Sequence, residues 1–321
     1  MRFSVFPYAL ALLALLALNF ALPLLMPGDA VVAFLGQDAL VELSDAQRHQ
    51  LLAELELDQP LWRQAWAYLG RLARLDLGFS FRHGQPVAAL LAEHLPWTLL
   101  LTACALGLAL VAGTLLGMEA ALAQARWPDR ALTTAMLALE SLPAFAIAMG
   151  LALLLAHALP WFPAAGAAAP FSQAAGWRAV LEHAHHLVLP AAALALPAIA
   201  RVFLLTRAAA ANLRTAPFME MAVAKGAGPW ALRWRHLAPN VLAVVLARLG
   251  SMGARLMAGS IYVETVFAWP GINLLLTDAV ARHDLPLVRG ALLATGALTL
   301  LLNLAADALV ARQWRRAQRL P

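Results

Sequence analysis

Ionisable side chains stand inside stretches that are otherwise apolar, Glu140, Arg248 and Arg255 among them. A charge near the bilayer midplane costs about 2.5–3.5 kcal/mol even on the mildest scales, so it is kept only where it has a partner or faces a wet path. Glu140 lies about ten residues into its apolar run, roughly 15 Å along a helix. Arg248 and Arg255 are seven residues apart and so share a helix face. Two kinds of chemistry suit this set. Either the groups line a translocation path and bind a charged solute, or a Glu–Arg pair, within the chain or across to a partner, fixes helix packing. Asn303 and Asp307, one turn apart, are packing or gating candidates, with Asp307 placed to pair with Arg312 or with a partner's basic residue. His183, His185 and His186 are close enough to suggest a nickel-type ligand set, and they equally suit a hydrated loop end.

Other chemistries lack their residues. There is no Gly-x4-Gly-Lys-[Ser/Thr] phosphate loop; the only lysine, Lys225, precedes a glycine and follows none. No His-Glu-x-x-His array and no Gly-x-Ser-x-Gly elbow occurs, and Cys104 is the single cysteine. The sequence therefore points to no catalytic residue, no metal site and no cofactor. An integral membrane enzyme and an ion-driven secondary transporter stay open as other classes; autonomous turnover or gradient-driven uptake would mark them.

The elements that must hold these residues are read from hydropathy. Of 321 residues, 62% are hydrophobic, and mean hydropathy is +0.73. A helix needs about 20 mainly apolar residues to cross a bilayer. Windows at about 3–26, 97–123, 131–158, 187–206, 241–264 and 288–309 meet that length. The first is longer than the ~7–15-residue apolar core of a signal peptide, so it reads as a retained helix. Six spans put both termini on one side, together with Arg126, Arg130, Arg207, Arg214, Lys225, Arg233, Arg235 and the tail arginines. Positive charge stays inside, so that side is cytoplasmic. Between the first two spans, Ser44-Asp45-Ala46-Gln47 reads as a capping box, and Asp58-Gln59-Pro60 opens a helix carrying Trp62 and Trp66 that lies on the bilayer or covers the mouths of the spans. Acids outnumber arginines there, the opposite of a nucleic-acid footprint. Gly113-x-x-x-Gly117 permits close helix approach, but the composition of that span alone accounts for it.

The stretch 207–240 is longer than a turn requires and too short for a domain. Two short helices fit it, one over about 216–225 with Gly226 as its left-handed exit, and one entered at Gly228-Pro229 and running toward Pro239. On the first, Phe218, Met221, Ala222 and Lys225 share a face that suits a partner's groove; a linker lying on anionic lipid is the plainer reading.

Glu220-Met221-Ala222-x-x-x-Gly226 followed by His236-Leu237-Ala238-Pro239 resembles the EAA loop of ABC importer permeases. Glu220, Ala222, Gly226 and Pro239 match that pattern, whereas Met221, His236 and Ala238 depart from it. The strings at 57–87, 95–101, 141–145, 186–190, 263–288 and 303–307 are similar, in order, to the dipeptide/oligopeptide/nickel branch.

The resemblance implies an all-α integral membrane fold, type I ABC importer permease-like, with six transmembrane helices. Residues 1–26 would form the first span, 27–95 a periplasmic helical segment, 96–311 a five-helix core carrying the cytoplasmic coupling loop 207–240, and 312–321 a cytoplasmic tail. Glu220, Ala222, Lys225, Gly226, His236 and Pro239 would couple the spans to ATP hydrolysis elsewhere. The implied partners are a second homologous permease, two cytoplasmic ABC ATPases, a periplasmic or lipid-anchored substrate-binding protein and membrane lipid, with no nucleic acid. The setting is the bacterial inner membrane, multi-pass, with both termini cytoplasmic. Peptides are the leading cargo, with nickel or another small solute the alternative. The resemblance does not supply a role for Glu140, Arg248 and Arg255, whose positions are usually uncharged in that family; on the path reading they handle a peptide's charged ends, and the packing pair stays open beside it.

Overall fold

The computed structural model describes residues 5–25, 59–80, 82–123 and 126–317, with side chains omitted at 309 and from 312 onward. The Ser44–Gln47 capping box and the end of the tail lie outside the described residues. The rest is almost wholly helical: α1 (Phe6–Leu25), α2 (Leu61–Ala73), α3 (Val87–Leu122), α4 (Trp127–Ser141), α5 (Ala144–Leu151), α6 (Trp177–Arg214), α7 (Pro217–Ala224), α8 (Pro229–Ala231), α9 (Ala238–Leu246), α10 (Leu249–Val266), α11 (Ile272–Ala281) and α12 (Leu285–Ala317). A two-residue hairpin, β1 (Phe79–Ser80) against β2 (Gln85–Pro86), precedes α3.

α1, α3, α6 and α12 are long and apolar enough to span a bilayer unbroken. The other two expected spans are broken. The third is α4 followed by α5 and a π-helical stretch, Ala152–Ala158, the halves meeting at 101°. Pro143 causes the break: the residue before proline is driven out of the helical region, and Leu142 is extended at φ −77°, ψ 133°. The fifth is α9 and α10, bent by 54° at Ala247–Arg248. Six spans result when each bent pair counts as one. α3 begins ten residues before the expected window, and α11 fills a stretch read only as a connection.

Contacts divide the described chain into two compact units, one of residues 99–269 and 301–317, the other of 5–25, 59–98 and 270–300. In the first, α6 is the buried helix, with Leu189, Leu194, Val202 and Phe203 almost inaccessible. The Gly113/Gly117 pair proves to be an interface and not an accident of composition. A Cβ at Gly113 would lie 2.6 Å from the Val202 Cβ, and one at Gly117 would lie 2.7 Å from the Phe203 carbonyl oxygen. Only glycine lets α3 and α6 come so close.

In the second unit, Val87, Leu90 and Leu91 of α3 pack against Ile272, Leu275 and Ala279 of α11 and Leu287 and Ala291 of α12. Thr98 Oγ1 accepts the Ile272 N–H at 2.8 Å, satisfying one orphan donor at the start of α11. Buried Asp284 accepts from Ser80 Oγ at 2.5 Å and from the Leu287 N–H at 3.2 Å, tying the hairpin to α12.

Candidate functional site

Two groups of residues in the first unit carry chemistry. The first is the loop between α6 and α9, built around α7. Pro217 begins it, where a missing N–H costs nothing. Its exit is a complete Schellman motif: Ala227 N–H bonds the Ala222 carbonyl at 3.0 Å, Gly226 N–H bonds that of Val223 at 2.9 Å, and Gly226 has φ 79°. A Cβ at Gly226 meets nothing within 4 Å, so the demand for glycine comes from φ and not from crowding within the chain.

The apolar face differs from the expected one. Met219 and Ala222 turn inward, while Phe218, Met221, Val223 and Lys225 remain exposed. Ala222 therefore fastens α7 to the bundle, and the outward face holds the bulkier groups. Glu220 stands exposed in the first turn. Beyond Gly228, α8 passes through a π-helical turn (Leu232–Leu237) into α9 without interruption. Pro239 does not end this helix. It sits in the first turn of α9, after the wider π turn, where its absent N–H is tolerated. The His236 carbonyl accepts Asn240 Nδ2 at 2.7 Å, and Leu237 is fully buried. All six coupling candidates thus lie on one run of chain, Glu220 through Gly226 on α7 and its exit, His236 and Pro239 on the helix that follows.

Two ion pairs anchor the foot of the bundle, and sequence reading passed over both. Arg207 of α6 donates to both oxygens of Asp129 on α4, Nε at 2.6 Å and Nη2 at 2.8 Å, with Asp129 buried. Arg233 of the π turn pairs with Glu119 of α3 at 3.0 Å. Opposite charges at the same ends of neighbouring spans were the available signal.

The second group surrounds a cavity of about 290 Å³ walled by α3, α4, α6 and the α9–α10 bend. Glu140, Arg248 and Arg255 all line it. The straight-helix count for Glu140 does not hold, because Glu140 is the penultimate residue of α4, two residues before the extended Leu142 at the 101° bend. Nor is Arg248 one turn-pair below Arg255 on a regular helix; it caps α10 at φ −104°, ψ 2°. Both charges stand beside a backbone break, the arrangement by which broken spans expose polar groups to a cavity.

Arg201 of α6 joins them, with Arg255 and Glu140 as its charged neighbours. Its Nε donates to the Pro197 carbonyl at 3.1 Å. It was legible as an arginine inside an apolar run, like the others. Among the described residues no ion pair within 4 Å joins Glu140 to these arginines. Three guanidinium groups and one carboxylate leave the cavity a formal charge of 3 − 1 = +2.

Asn303 packs where a Cβ at Gly250 would lie 3.2 Å from its Cα and 2.6 Å from the Ala306 Cβ, a close crossing of α10 and α12. Asp307 is exposed. The histidine trio lies within α6, not in a loop, and each ring contacts a carbonyl: His183 that of Ala167, His185 that of Trp161, His186 that of Gly166.

Long apolar helices, two broken spans, a charged cavity beside the breaks and a rigid helical loop beyond them define a polytopic membrane transport component. The chain belongs to the family of binding-protein-dependent transport system inner membrane components, whose model matches residues 113–319. It is similar to a Brucella abortus (strain 2308) protein named as a peptide transport system permease protein, 33% identical over 292 residues, 91% of this chain and 90% of that one. A peptide permease protein of Brucella ovis is 32% identical over 92% of this chain and 91% of its own. The glutathione transport system permease protein GsiC of Escherichia coli O6:H1 is 32% identical over 89% and 88%. Membership makes the chain a transport component and not an enzyme.

Proposed function

We propose that this chain is the membrane subunit through which peptides cross the inner membrane, moved by separate ATPase subunits that grip residues 207–240. One observation carries the reading: the helix from Pro229 to Leu246 runs unbroken from just beyond the Gly226 exit of α7 to the Ala247–Arg248 bend at the cavity. Force applied to the exposed Phe218, Met221 and Lys225 face travels along that rod and changes the bend, and with it the placement of Arg248 and Arg255. The Schellman exit makes α7 a stiff handle, and the Glu119–Arg233 pair keeps the π turn seated. Within the cavity, guanidinium groups hold carboxylates in charge-assisted bonds and Glu140 takes an ammonium, which suits the two ends of a peptide.

Glu140, Arg248 and Arg255 are exposed in the single chain, which suits a path completed by a second, homologous permease. Two ATPases below and a substrate-binding protein outside complete the assembly, with both termini cytoplasmic. The chain then divides as a first span over 1–26, a periplasmic segment over 27–95, a five-helix core over 96–311 and a tail over 312–321. Asn303 serves helix packing, and Asp307 lies beside it toward the cytoplasmic end.

The test is Gly226→Asp in the full transporter reconstituted in vesicles. A β-carbon at φ 79° breaks the Schellman exit, so the protein inserts normally while peptide uptake and peptide-stimulated ATP hydrolysis are lost. Wild-type uptake by this variant would remove the loop from the mechanism. Nickel uptake by the same vesicles, untouched by competing peptides, would replace the cargo.

A further inference from the structure

The second unit holds its own cavity, about 190 Å³, where the end of α1, the helix α2 and the start of α12 meet. Asn19, Tyr68, Arg71, Asp76 and Arg289 supply its polar wall, and the rest is apolar. The polar groups are held in place. Asn19 Nδ2 donates to the Arg289 carbonyl at 2.7 Å, Tyr68 donates its hydroxyl to Asn19 Oδ1 at 2.9 Å, and the Arg289 guanidinium lies 4.9 Å from the Tyr68 ring centre. Burial pushes the Tyr68 phenol above its ordinary value, so the hydroxyl remains a donor. Asp76 already accepts the Gly78 N–H at 3.0 Å.

The depth of this cavity is readable from the helices. Arg289 is four residues into α12, about 6 Å along it, and Asn19 is six residues from the end of α1, about 9 Å. Both lie in the outer third of a hydrocarbon core about 30 Å thick. α2 is built for the layer just outside it. Trp62, Trp66 and Leu69 form an exposed stripe at i, i+4 and i+7, beside Arg63 and Arg74. Tryptophans with flanking arginines on an amphipathic helix belong in the headgroup layer.

We propose that this cavity binds the phosphate of an anionic phospholipid between Arg71 and Arg289, its acyl chains lying along the apolar wall and the tryptophan stripe of α2. Two guanidinium groups against one carboxylate favour a ligand of net negative charge, and the apolar remainder favours a lipid over a free anion.

The test is lipid retention by the full chain, extracted from membranes of phosphatidylethanolamine mixed with phosphatidylglycerol and read by native mass spectrometry. Wild type retains phosphatidylglycerol preferentially. Arg71→Gln, at an exposed position where folding is not at stake, and Arg289→Gln each lower that retention about fivefold, the effect of one basic group at a membrane surface. Inorganic phosphate does not displace the lipid. Equal retention by wild type and Arg71→Gln, or no preference for phosphatidylglycerol over phosphatidylethanolamine, overturns the proposal. Displacement by inorganic phosphate overturns the lipid in favour of a free anion.

Discussion

Arg201 and Arg207 lie on the same helix, about 9 Å apart along its axis, and the molecule treats them differently. Arg207 is clamped by two bonds to Asp129, whose side chain is 2% exposed, and Thr133 Oγ1 reaches the same carboxylate at 3.4 Å. Arg201 makes a bond to a carbonyl of its own helix and faces the cavity beside Arg255 and Glu140. A guanidinium with a bidentate buried partner has its charge used up in the architecture. One that faces a cavity with only its helix as an acceptor keeps bonding capacity for something else. The foot of α6 is thus a fastening, whereas its middle presents a guanidinium to the cavity, and the contrast can be broken from either side.

The largest effect belongs to the foot. Asp129→Asn leaves Arg207 without its counter-charge and should cost about 3 kcal/mol, the low end for a broken buried pair because Arg207 keeps a third of its side chain in solvent. The check is thermal unfolding in detergent. Replacing both partners, Asp129→Leu with Arg207→Met, should restore most of that loss, since a buried pair contributes little over an apolar contact of similar size. If the double variant stays as unstable as the single one, the pair does more than fasten helices.

Next comes the middle of the helix. Arg201→Gln should leave unfolding unchanged and cut uptake of a peptide bearing two carboxylates about tenfold, the loss of one charge-assisted bond. The same peptide with its carboxyls amidated should show no such loss. Glu140→Gln should act on the other end, slowing peptides with a free amino terminus but not their acetylated forms. Should Arg201→Gln unfold the protein as Asp129→Asn does, the distinction between the two arginines fails.

How much of this was readable beforehand depends on where the determining force lies. The apolar runs announce spans because their length and hydropathy are local properties. The left-handed exit at Gly226 is equally local, since few residues besides glycine accept that backbone. Pro143 marks a break, but the 101° angle is set by what α4 and α5 pack against, and Ala247 carries no mark. The Gly113/Gly117 contact needed the position of α6, which no window in α3 contains. On α7 the i, i+3, i+4, i+7 rule found an apolar stripe and missed that a short helix docks by its edge, so that Ala222 turns inward and Phe218 outward. Arg201 needed no structure at all, only the same scan that found Arg248 and Arg255.

The smallest effect lies at the second ion pair, which tests whether pairing alone makes an arginine structural. Arg233 and Glu119 meet at 3.0 Å, but their side chains are 35% and 52% exposed. A pair so wet contributes about 1 kcal/mol or less and is screened by salt. Arg233→Ala should therefore barely move unfolding, and raising salt should erase what difference there is. Its other consequence is mechanical. The pair holds the π turn against α3, so its loss should loosen the link between α7 and the rod that follows, raising ATP hydrolysis without peptide while uptake per ATP falls. A variant with unchanged coupling would assign the steadiness of the loop to buried Leu237, Met219 and Ala222 alone.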